Sequence, residues 1–397
     1  MPHQKSVALP ILPGATLGVM GGGQLGRMFI HAAQSMGYTT AVLDPDANSP
    51  AGLVSHHHVQ TDYLDADGLK ELAQLCQAVT TEFENVPAQS LMALSKSCPV
   101  APSAAAVAVA QDRRVEKARL AEIGKASGVV PVPYALIEKD MHVSLVDTIY
   151  LPGILKSATQ GYDGKGQIKV TTKAQLAIAW AQLGKVPCVL ELMVPLHEEF
   201  SVVLARGEDG RIVHFAPQRN VHINGILAAT YAHESDLKPS DVKELVDAAK
   251  AIANSIKYVG VLCVEFFLLI DGSLVVNEIA PRPHNSGHYT LDACDVSQFE
   301  LQVRALCRLP LPQPHQHSPA IMLNLLGDLW FKTNPNAAQT PPWEKVLALP
   351  GTHLHLYGKA EAKPGRKMGH LTITGSSLEA VQSTTQQAAK ILGIDKY

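Results

Sequence analysis

The sequence predicts a mixed α/β and α+β protein in three parts, and three observations support this. A short apolar strand, Ala15–Met20, precedes a glycine-rich turn and an amphipathic helix, as in nucleotide-binding α/β units. Residues 125–300 read as strands paired in hairpins, with interspersed helices. After the stiff segment Pro310–Pro314 comes a small α+β unit. We place the three parts at residues 1–112, 113–309 and 310–397.

Composition excludes several classes of protein. Of 397 residues, 46% are hydrophobic and 17% are charged, which is enough apolar material for several packed cores. A net charge of −3 argues against a general nucleic-acid or membrane surface. Six scattered cysteines without a C-x-x-C pair indicate reduced core residues of a cytoplasmic protein. We recognise neither a signal peptide nor an apolar run of transmembrane length.

The glycine-rich turn, Gly21–Gly26, has the sequence GGGQLG and opens a helix that runs to about Met36. A second strand, Thr39–Leu43, then ends at Asp44. Taken alone, G-x-G-x-x-G in this context is typical of dinucleotide binding. Amides at a helix N-terminus bind any phosphate, however, and glycines also allow close strand–helix packing. A nicotinamide-dependent dehydrogenase is therefore one alternative.

Two further segments of the N-terminal part bear on function. Val79–Phe83 reads as a strand, so Glu82–Asn85 lie at its carboxyl end, where ligands bind in open α/β sheets. An alanine-rich segment then leads into a helix predicted over Gln111–Ile123. From the sequence alone, Arg113 and Lys117 are expected on a solvated face of this helix.

The strongest local signal is Val261–Pro283, in which two apolar runs flank Asp271–Gly272. An Asp-Gly pair between such runs predicts a hairpin with a two-residue turn, Ile270 then facing Ser273. That register places Glu265 directly opposite Glu278, and like charges across a ladder destabilise a sheet. A hard cation relieves the repulsion, and Mg²⁺ held by carboxylates and phosphate oxygens fits best. The alternative is that one acid is solvated at a strand end.

Three loops contain residue types that bind anions. Ser157–Gly166 has three glycines and a lysine, which suits a flap whose amides close over phosphates. Ala280–His288 combines an arginine, two histidines, an asparagine and a serine. A third loop, near the C-terminus, contains the basic cluster Lys359, Lys363, Arg366 and Lys367. Each loop has the ordinary alternative of a solvated surface segment.

Other polar residues are more ambiguous. Glu191 lies in the predicted strand Cys188–Val194, and Glu199 precedes the predicted strand Phe200–Ala205. These two acids could hold an adenosine edge and ribose hydroxyls, or they could be exposed at strand ends. His56–His58 could suggest a metal cluster, but no ligands of matching spacing stand nearby, so a solvated loop is expected.

Taken together, these motifs resemble the ATP-grasp superfamily and, within it, the ATP-dependent 5-(carboxyamino)imidazole ribonucleotide synthase family. The matching motifs are GGGQLGRM, EFENVP, GYDGKGQ, Asn277–Glu278, APRPHNSGH and KPGRKMGHL, in order over residues 15–375. The resemblance implies an ATP-grasp fold with a Rossmann-like N-terminal domain and a small β-rich C-terminal domain. One departure is Gln160, where the flap usually has a further glycine.

The resemblance also implies an activity. The chain would be a carbon–nitrogen ligase of purine biosynthesis that carboxylates 5-aminoimidazole ribonucleotide, with ATP and bicarbonate, through carboxyphosphate. Its cofactors would be ATP and Mg²⁺, with Mn²⁺ as an alternative metal. Its partners would be these small molecules and a second copy in a homodimer, without nucleic acid or membrane. Another ATP-grasp ligase, such as the formate-dependent glycinamide ribonucleotide transformylase, is the alternative.

Each matching residue receives a role from the resemblance. Lys156, Arg282 and Asn285 would be catalytic, and Glu265 and Glu278 would hold the metal. Nucleotide contacts would come from Arg113, Lys156, Gly161, Tyr162, Asp163, Gly164, Lys165, Gly166, Gln167, Glu191, Leu192, Met193, Val194, Glu199, His222, Asn277 and Glu278. Ribonucleotide contacts would come from Gln24, Glu82, Tyr162, Arg282, His284, Asn285, Ser286, Lys359 and Arg366. Strand alternation points Asn277 away from the face of Glu278, so its role needs a β-bulge or a strand end.

Overall fold

Three β-sheets, of four, nine and four strands, organise the protein. The structure is a computed structural model and describes residues 9–159, 161, 166–233 and 237–397. The strands are β1 Thr16–Met20, β2 Thr39–Leu43, β3 His57–Val59, β4 Ala78–Thr81, β5 Tyr134–Ile137, β6 Gly153–Ser157, β7 Gln167–Val170, β8 Cys188–Leu192, β9 Leu196–Arg206, β10 Ile212–His214, β11 Gln218–Ile223, β12 Ile226–Ala232, β13 Gly260–Leu269, β14 Leu274–Ala280, β15 Ala320–Leu326, β16 Thr352–Leu356 and β17 Lys367–Thr374. The helices are α1 Gln24–Ser35, α2 Ala66–Leu75, α3 Ala88–Leu94, α4 Ala104–Gln111, α5 Arg113–Ser127, α6 Asp140–Leu145, α7 Lys173–Gln182, α8 Pro239–Ser255, α9 Thr290–Ala293, α10 Gln298–Leu306, α11 Trp343–Leu347 and α12 Leu378–Leu392.

The first sheet is parallel, with the strand order β3-β2-β1-β4. Its central strands are apolar because helices cover both of their faces. Helix α1 begins directly after the glycine-rich turn, and Gly37, with a φ of +84°, follows its last turn. A residue without a Cβ adopts this left-handed conformation readily, so the chain can reverse into β2. The predicted strand–turn–helix–strand order is confirmed, with small differences at the strand ends.

The helix predicted over Gln111–Ile123 is present as α5, Arg113–Ser127, but the alanine-rich segment before it is a separate helix, α4, which the prediction missed. Ser103 begins α4 by accepting a hydrogen bond from Ala106 N at 3.2 Å. Asp112 has an extended backbone, and its carboxylate accepts from Arg114 N at 2.9 Å. This side-chain cap ends one helix and begins the next without a glycine or a proline.

The nine-stranded sheet runs in the order β14-β13-β9-β11-β12-β15-β17-β16, with β10 paired to β9. Its neighbouring strands are antiparallel. Strand β12 of the central part pairs with β15 of the C-terminal part, from Ala229 opposite Leu323 to Ala232 opposite Ala320. The small C-terminal unit therefore continues the central sheet across the proline-rich segment. The boundaries at 112/113 and 309/310 stay predictions.

The third sheet is antiparallel, in the order β5-β8-β6-β7, and the flap joins β6 to β7. Backbone hydrogen bonds attach it to the edge of the large sheet: Val276 N donates to Val130 O at 2.9 Å, and Val132 N donates to Val276 O at 3.1 Å. The chain just before β5 thereby connects the third sheet to β14.

Several smaller predictions can be checked directly. All six cysteines are buried free thiols, as expected for reduced core residues. His57 and His58 begin β3 rather than lying in a loop, and His56 Nδ1 accepts from Thr40 N at 3.2 Å. In the described part of the chain, no helix is both long and apolar enough to cross a membrane.

Candidate active site

The glycine-rich turn binds the chain's own carboxylates. Gly22 N donates to Asp44 Oδ2 at 2.7 Å. Gly23 N and Gly26 N donate to the two oxygens of Glu82, at 2.8 and 2.9 Å. Burial raises the pKa of Glu82, although these two amides oppose the shift. Glu82 thus fills the position at the α1 N-terminus where a dinucleotide pyrophosphate would bind, which speaks against the dehydrogenase alternative.

The loop of the β13–β14 hairpin is one residue longer than predicted. Leu269 N donates to Ser273 O at 2.9 Å, which leaves Ile270–Gly272 as the loop. Gly272 has a φ of +86°, the left-handed conformation that closes a three-residue hairpin loop. The predicted two-residue turn, with Ile270 facing Ser273, is therefore wrong.

A β-bulge brings the two hairpin acids back together. The pairing of β13 with β14 shifts by one residue next to Glu265, so that Asn277 and Glu278 both lie opposite it. Asn277 Nδ2 lies 3.4 Å from Glu265 Oε2, on the same face of the hairpin. The bulge that a role for Asn277 required is present. The acids share one site, but they are not the directly opposed pair that the predicted turn gave.

A cavity of about 710 Å³ lies between the flap-bearing sheet and this hairpin. The predicted site residues that line it are Arg113, Lys156, Gly161, Gln167, Glu191, Leu192, Met193, Val194, Glu199, His222, Glu265, Asn277, Glu278, Arg282, His284 and Asn285. Tyr162, Asp163, Gly164, Lys165 and the unusual Gln160 lie outside the described residues. The described residues that line the cavity do not include Gln24, Glu82, Gly166, Ser286, Lys359 or Arg366. The fold therefore gathers most predicted nucleotide contacts but fewer predicted ribonucleotide contacts.

Two lysines hold Glu191 between them. Lys156 Nζ lies 2.7 Å from Glu191 Oε2, and Lys117 Nζ lies 3.1 Å from Oε1. Lys117 is fully buried and also donates to Asn277 O at 2.7 Å, inside the bulge. Burial alone would raise the pKa of Glu191, but the two lysines outweigh it and hold the pKa at about 2. The expectation that Lys117 lies on a solvated face is wrong.

Helix α5 directs three charged side chains toward the hairpin. Arg113 Nη1 lies 2.8 Å from Glu278 Oε2. Glu116 Oε1 accepts from Ile279 N at 2.7 Å, and burial raises the pKa of Glu116 to about 7. Sequence reasoning missed Glu116 and Lys117 as site residues. Their spacing from Arg113 puts all three on one helical face, but nothing local shows that this face is covered.

The pKa values of the two acids at the bulge are shifted in opposite directions. Burial and the charge of Glu278 raise the pKa of Glu265 to about 7. For Glu278, burial is outweighed by Arg113 and Lys156, and the pKa falls to about 2. Asn277 Oδ1 is buried and has no hydrogen-bond partner among the described residues. Two carboxylates and an unsatisfied amide oxygen are the donor set that a hard cation prefers, so these residues fit the predicted Mg²⁺.

Arg282, in the loop after the β13–β14 hairpin, binds Glu84, in the segment after β4. Arg282 Nε contacts Glu84 Oε2, and Arg282 Nη2 lies 3.2 Å from Glu84 Oε1. Burial would raise the pKa of Glu84, but Arg282 outweighs it and lowers the pKa. Both residues line the cavity. Of the acids in EFENVP, Glu84 rather than Glu82 therefore reaches the site.

His284, Asn285 and Ser286 have different surroundings. His284 Nε2 lies 3.2 Å from Glu265 Oε1, which links this loop to the bulge. Asn285 lines the cavity, and its buried Oδ1 has no hydrogen-bond partner in the described part of the chain. Ser286 is fully buried and bonds Ser201 Oγ at 2.8 Å, so it supports the loop from behind.

A histidine–acid pair lies on β9 and β11, in the same sheet as the hairpin. His222 Nδ1 contacts a carboxylate oxygen of Glu199. Burial would lower the pKa of His222, but Glu199 and the other acids outweigh it, so the pKa is raised. This pair therefore offers an imidazole ring and an acid to a nucleoside.

The basic C-terminal loop contributes a different residue from those predicted. Lys367 lines the cavity. Lys359 Nζ donates to Lys367 O at 2.6 Å and lines a second cleft of about 470 Å³. Arg366 Nη1 donates to Glu361 O at 2.8 Å, within its own loop. Arg366 and Lys367 are neighbours in sequence. Their side chains point in different directions because β17 begins at Lys367, where side chains start to alternate between the two faces of the strand.

Three family profiles match successive parts of the chain. The ribonucleotide synthetase preATP-grasp domain matches residues 14–111, and the ATP-grasp domain matches residues 123–299. The phosphoribosylaminoimidazole carboxylase C-terminal domain matches residues 320–384. The predicted ATP-grasp fold, with a preceding α/β part and a distinct C-terminal part, is confirmed by these matches.

Whole-length relatives are also similar. The N5-carboxyaminoimidazole ribonucleotide synthase of Brucella melitensis is 40% identical over 91% of this chain and 96% of its own length. That of Bacillus subtilis is 38% identical over 91% of this chain and 92% of its own length. The crystal structure of an ADP complex of N5-carboxyaminoimidazole ribonucleotide synthetase superposes with a TM-score of 0.87, at 36% identity over 98% and 99% of the two chains. The Aspergillus clavatus enzyme in complex with ADP and 5-aminoimidazole ribonucleotide gives 0.85, at 29% identity over 96% and 98%.

Proposed function

This chain belongs to the N5-carboxyaminoimidazole ribonucleotide synthase family, and we propose that it carboxylates 5-aminoimidazole ribonucleotide with ATP and bicarbonate in purine biosynthesis. The observation that carries the proposal is the cavity at the bulge. There the cations Arg113, Lys156 and Lys367 meet Glu265 and Glu278 in one space. Cations for phosphates beside acids for a metal are what ATP-dependent phosphoryl transfer requires.

The first step is phosphoryl transfer to bicarbonate. A bicarbonate oxygen attacks the γ-phosphorus of ATP, the bond to the β-phosphate oxygen breaks, and ADP and carboxyphosphate form. Lys156 and Arg113 neutralise the charge on the transferring oxygens and are kept in place by Glu191 and Glu278. Mg²⁺ held by the two hairpin acids and Asn277 Oδ1 would supply further positive charge to the phosphates.

The second step transfers the carboxyl group. The exocyclic amine of the ribonucleotide attacks the carboxyl carbon, the carbon–oxygen bond to phosphate breaks, and the amine loses a proton. Arg282 suits the bicarbonate and carboxyphosphate anions because its planar fork matches a carboxylate. Its ion pair with Glu84 holds the guanidinium at the cavity wall. Asn285 and His284 lie on the same loop and contact the ribonucleotide in this proposal.

Further assignments belong to the same proposal. Leu192–Val194, Glu199 and His222 contact the nucleoside of ATP, and Gly161 and Gln167, which also line the cavity, contact its phosphates. Glu191 acts there mainly through the two lysines that it holds. A homodimer and a cytoplasmic location are also proposed; six buried free thiols support the latter.

A phosphate-release assay tests the activity. Release should require ATP, bicarbonate and 5-aminoimidazole ribonucleotide together. Faster turnover with formate and glycinamide ribonucleotide would establish the alternative ligase instead. Saturable NADH binding at micromolar concentration would restore the dehydrogenase reading.

A substitution at the bulge tests the metal. Glu278→Gln should lower kcat by about 10²–10³-fold, as expected for loss of one preorganised electrostatic contact. The control is Glu244→Gln, an exposed acid on α8. Both variants should show wild-type circular dichroism, and near wild-type turnover of Glu278→Gln at saturating Mg²⁺ would refute the site.

A further inference from the structure

A cluster of imidazoles and one carboxylate lies where α9 packs against β16 and β17, outside the residues that line the cavity. We name it the histidine cluster: His288, Asp292, His353, His355 and His370. His355 Nε2 lies 2.9 Å from Asp292 Oδ2. The ring of His370 lies 4.5 Å from that of His355 and 4.6 Å from that of His288. Such a density of imidazoles is not needed for packing, which apolar residues achieve without polar atoms.

Three members of the cluster have the spacing of metal ligands. Asp292, His355 and His370 each offer one ligand atom, and these atoms all lie within 4.8 Å of one another. Within the described ranges, no other group of three histidines, cysteines or acids comes this close. The side chains come from three elements, so a bound ion would cross-link α9, β16 and β17.

His370 supplies the independent observation. It is fully buried, its Nδ1 lies 2.9 Å from Tyr357 Oη, and its Nε2 has no hydrogen-bond partner among the described residues. A buried ring nitrogen without a partner is one that a ligand would satisfy.

His288 does not share this role. Gln298 Nε2 lies 3.2 Å from His288 Nδ1 and can only donate, so the proton of His288 is on Nε2. A protonated nitrogen cannot bind a metal. The ligand set is therefore two imidazole nitrogens and one carboxylate oxygen.

We propose that Asp292, His355 and His370 bind one Zn²⁺ ion, separate from the Mg²⁺ of the catalytic cavity. Two histidines and one carboxylate are ligands that zinc takes readily, whereas Mg²⁺ and Ca²⁺ prefer oxygen alone. Zinc replaces the proton shared by His355 and Asp292 and binds the unsatisfied nitrogen of His370. Tyr357 then accepts from His370 Nδ1 and fixes the ring, as outer partners of zinc-bound histidines do.

One adjustment is required on binding. The rings of His355 and His370 are 13° from parallel, so their lone pairs do not yet converge on one point. His355 is partly exposed, with 31% of its side chain accessible, and has room to tilt. The ion would join the segment after the Ala280–His288 loop to β17, the strand that begins at Lys367. The site is thus structural and does not depend on the proposed reaction.

Metal titration of the full chain tests this proposal. Protein stripped with a chelator should bind one Co²⁺ per chain, with the intense visible bands of a four-coordinate site, and Zn²⁺ should displace it. His355→Ala and Asp292→Asn should weaken binding by at least about 100-fold, more than the 10–100-fold that loss of an outer partner costs. Tyr357→Phe, which removes only that outer hydroxyl, should weaken binding by about 10-fold.

Controls separate this site from others. Glu278→Gln removes a ligand of the Mg²⁺ site, and His57→Ala removes an exposed imidazole; neither should change the cobalt bands. Zn²⁺ should also raise the melting temperature of the wild type but not of His355→Ala. The proposal is overturned if the wild type binds no stoichiometric Co²⁺, if the cluster variants bind it as well, or if Glu278→Gln abolishes it.

Discussion

The glycine-rich turn and the β13–β14 hairpin both predict ligand sites in the sequence, an anion site and a metal site, yet only the hairpin lines a cavity in the structure. At the turn, Glu82 and Asp44 accept hydrogen bonds from the glycine amides. At the bulge, cations and acids are paired as well, but they line a cavity of about 710 Å³. The turn is complete without a ligand, whereas the bulge leaves room and an unsatisfied Asn277 Oδ1.

The difference shows how a motif should be judged. Glycine amides at a helix N-terminus bind an anion wherever it comes from, and here the chain itself supplies it. Charged side chains that line a cavity can still interact with a ligand that enters it, even when they are paired with each other. Substitutions in the two regions should therefore separate loss of stability from loss of activity.

The largest effect is expected at Lys117, inside the bulge. Lys117→Met leaves Glu191 with one lysine and removes the hydrogen bond that Asn277 O accepts from Lys117. Removing one member of a buried ion pair destabilises a protein by about 3–5 kcal/mol, and urea unfolding should show a loss near that range. Lys125→Met, exposed on the same helix, should stay within about 0.5 kcal/mol. Equal unfolding midpoints for the two variants would contradict the buried role.

The next effect concerns the basic loop. Lys367→Met should lower kcat/KM for the ribonucleotide by about 10–150-fold, since a charged hydrogen bond contributes about 1.5–3 kcal/mol. Arg366→Ala should have a smaller effect, because Arg366 bonds its own loop. Steady-state kinetics with each substrate varied in turn decides between them. A greater loss for Arg366→Ala would restore the assignment that the family resemblance implied.

A smaller effect is expected at the glycine-rich turn. Glu82→Gln replaces one accepting oxygen by a donor facing a glycine amide, which should lower the free energy of unfolding by about 1–3 kcal/mol. The KM for the ribonucleotide should stay close to wild type, with Glu71→Gln, exposed on α2, as the control. A raised KM with unchanged stability would make Glu82 a substrate ligand, and the comparison of the two regions would fail.

The last prediction is a pH dependence from Glu116. The pKa of the Glu116 carboxyl is about 7 in the folded protein and about 4.5 in the unfolded chain, so the folded protein keeps this proton up to a higher pH. Stability from this proton is present below pH 4.5 and is lost as the pH rises through about 7. The melting temperature of the wild type, relative to Glu116→Gln, should therefore fall between about pH 5 and pH 8. A constant difference over that range would mean that Glu116 is ionised throughout.

The order of strands and helices followed largely from local patterns. Alternating apolar runs and glycine positions placed β1, α1 and β2 closely, because their signals lie within a few residues. The motif resemblance then supplied just under half of the residues that line the cavity. Both kinds of information are carried by short stretches of sequence.

What failed depends on distant contacts. Lys117 is buried because its ammonium meets Asn277 O, 160 residues later, and nothing near it in sequence indicates that partner. The hairpin register failed because an Asp-Gly pair fits both two- and three-residue loops, and the bulge that compensates is set by the residues around Glu265. Lys367, which lines the cavity, was not among the predicted contacts because the first residue of β17 was not known.

The hydrogen bonding of β12 to β15 has a consequence for shortened forms of the protein. The proline-rich segment Pro310–Pro314 is an obvious place to shorten the chain, yet a chain ending there would lack β15, β16 and β17 of the large sheet. Strand β12 would then present its unpaired amides and carbonyls along Ala229–Ala232 to solvent. A bare sheet edge recruits further strands, so such a fragment should form aggregates edge to edge rather than a smaller folded enzyme.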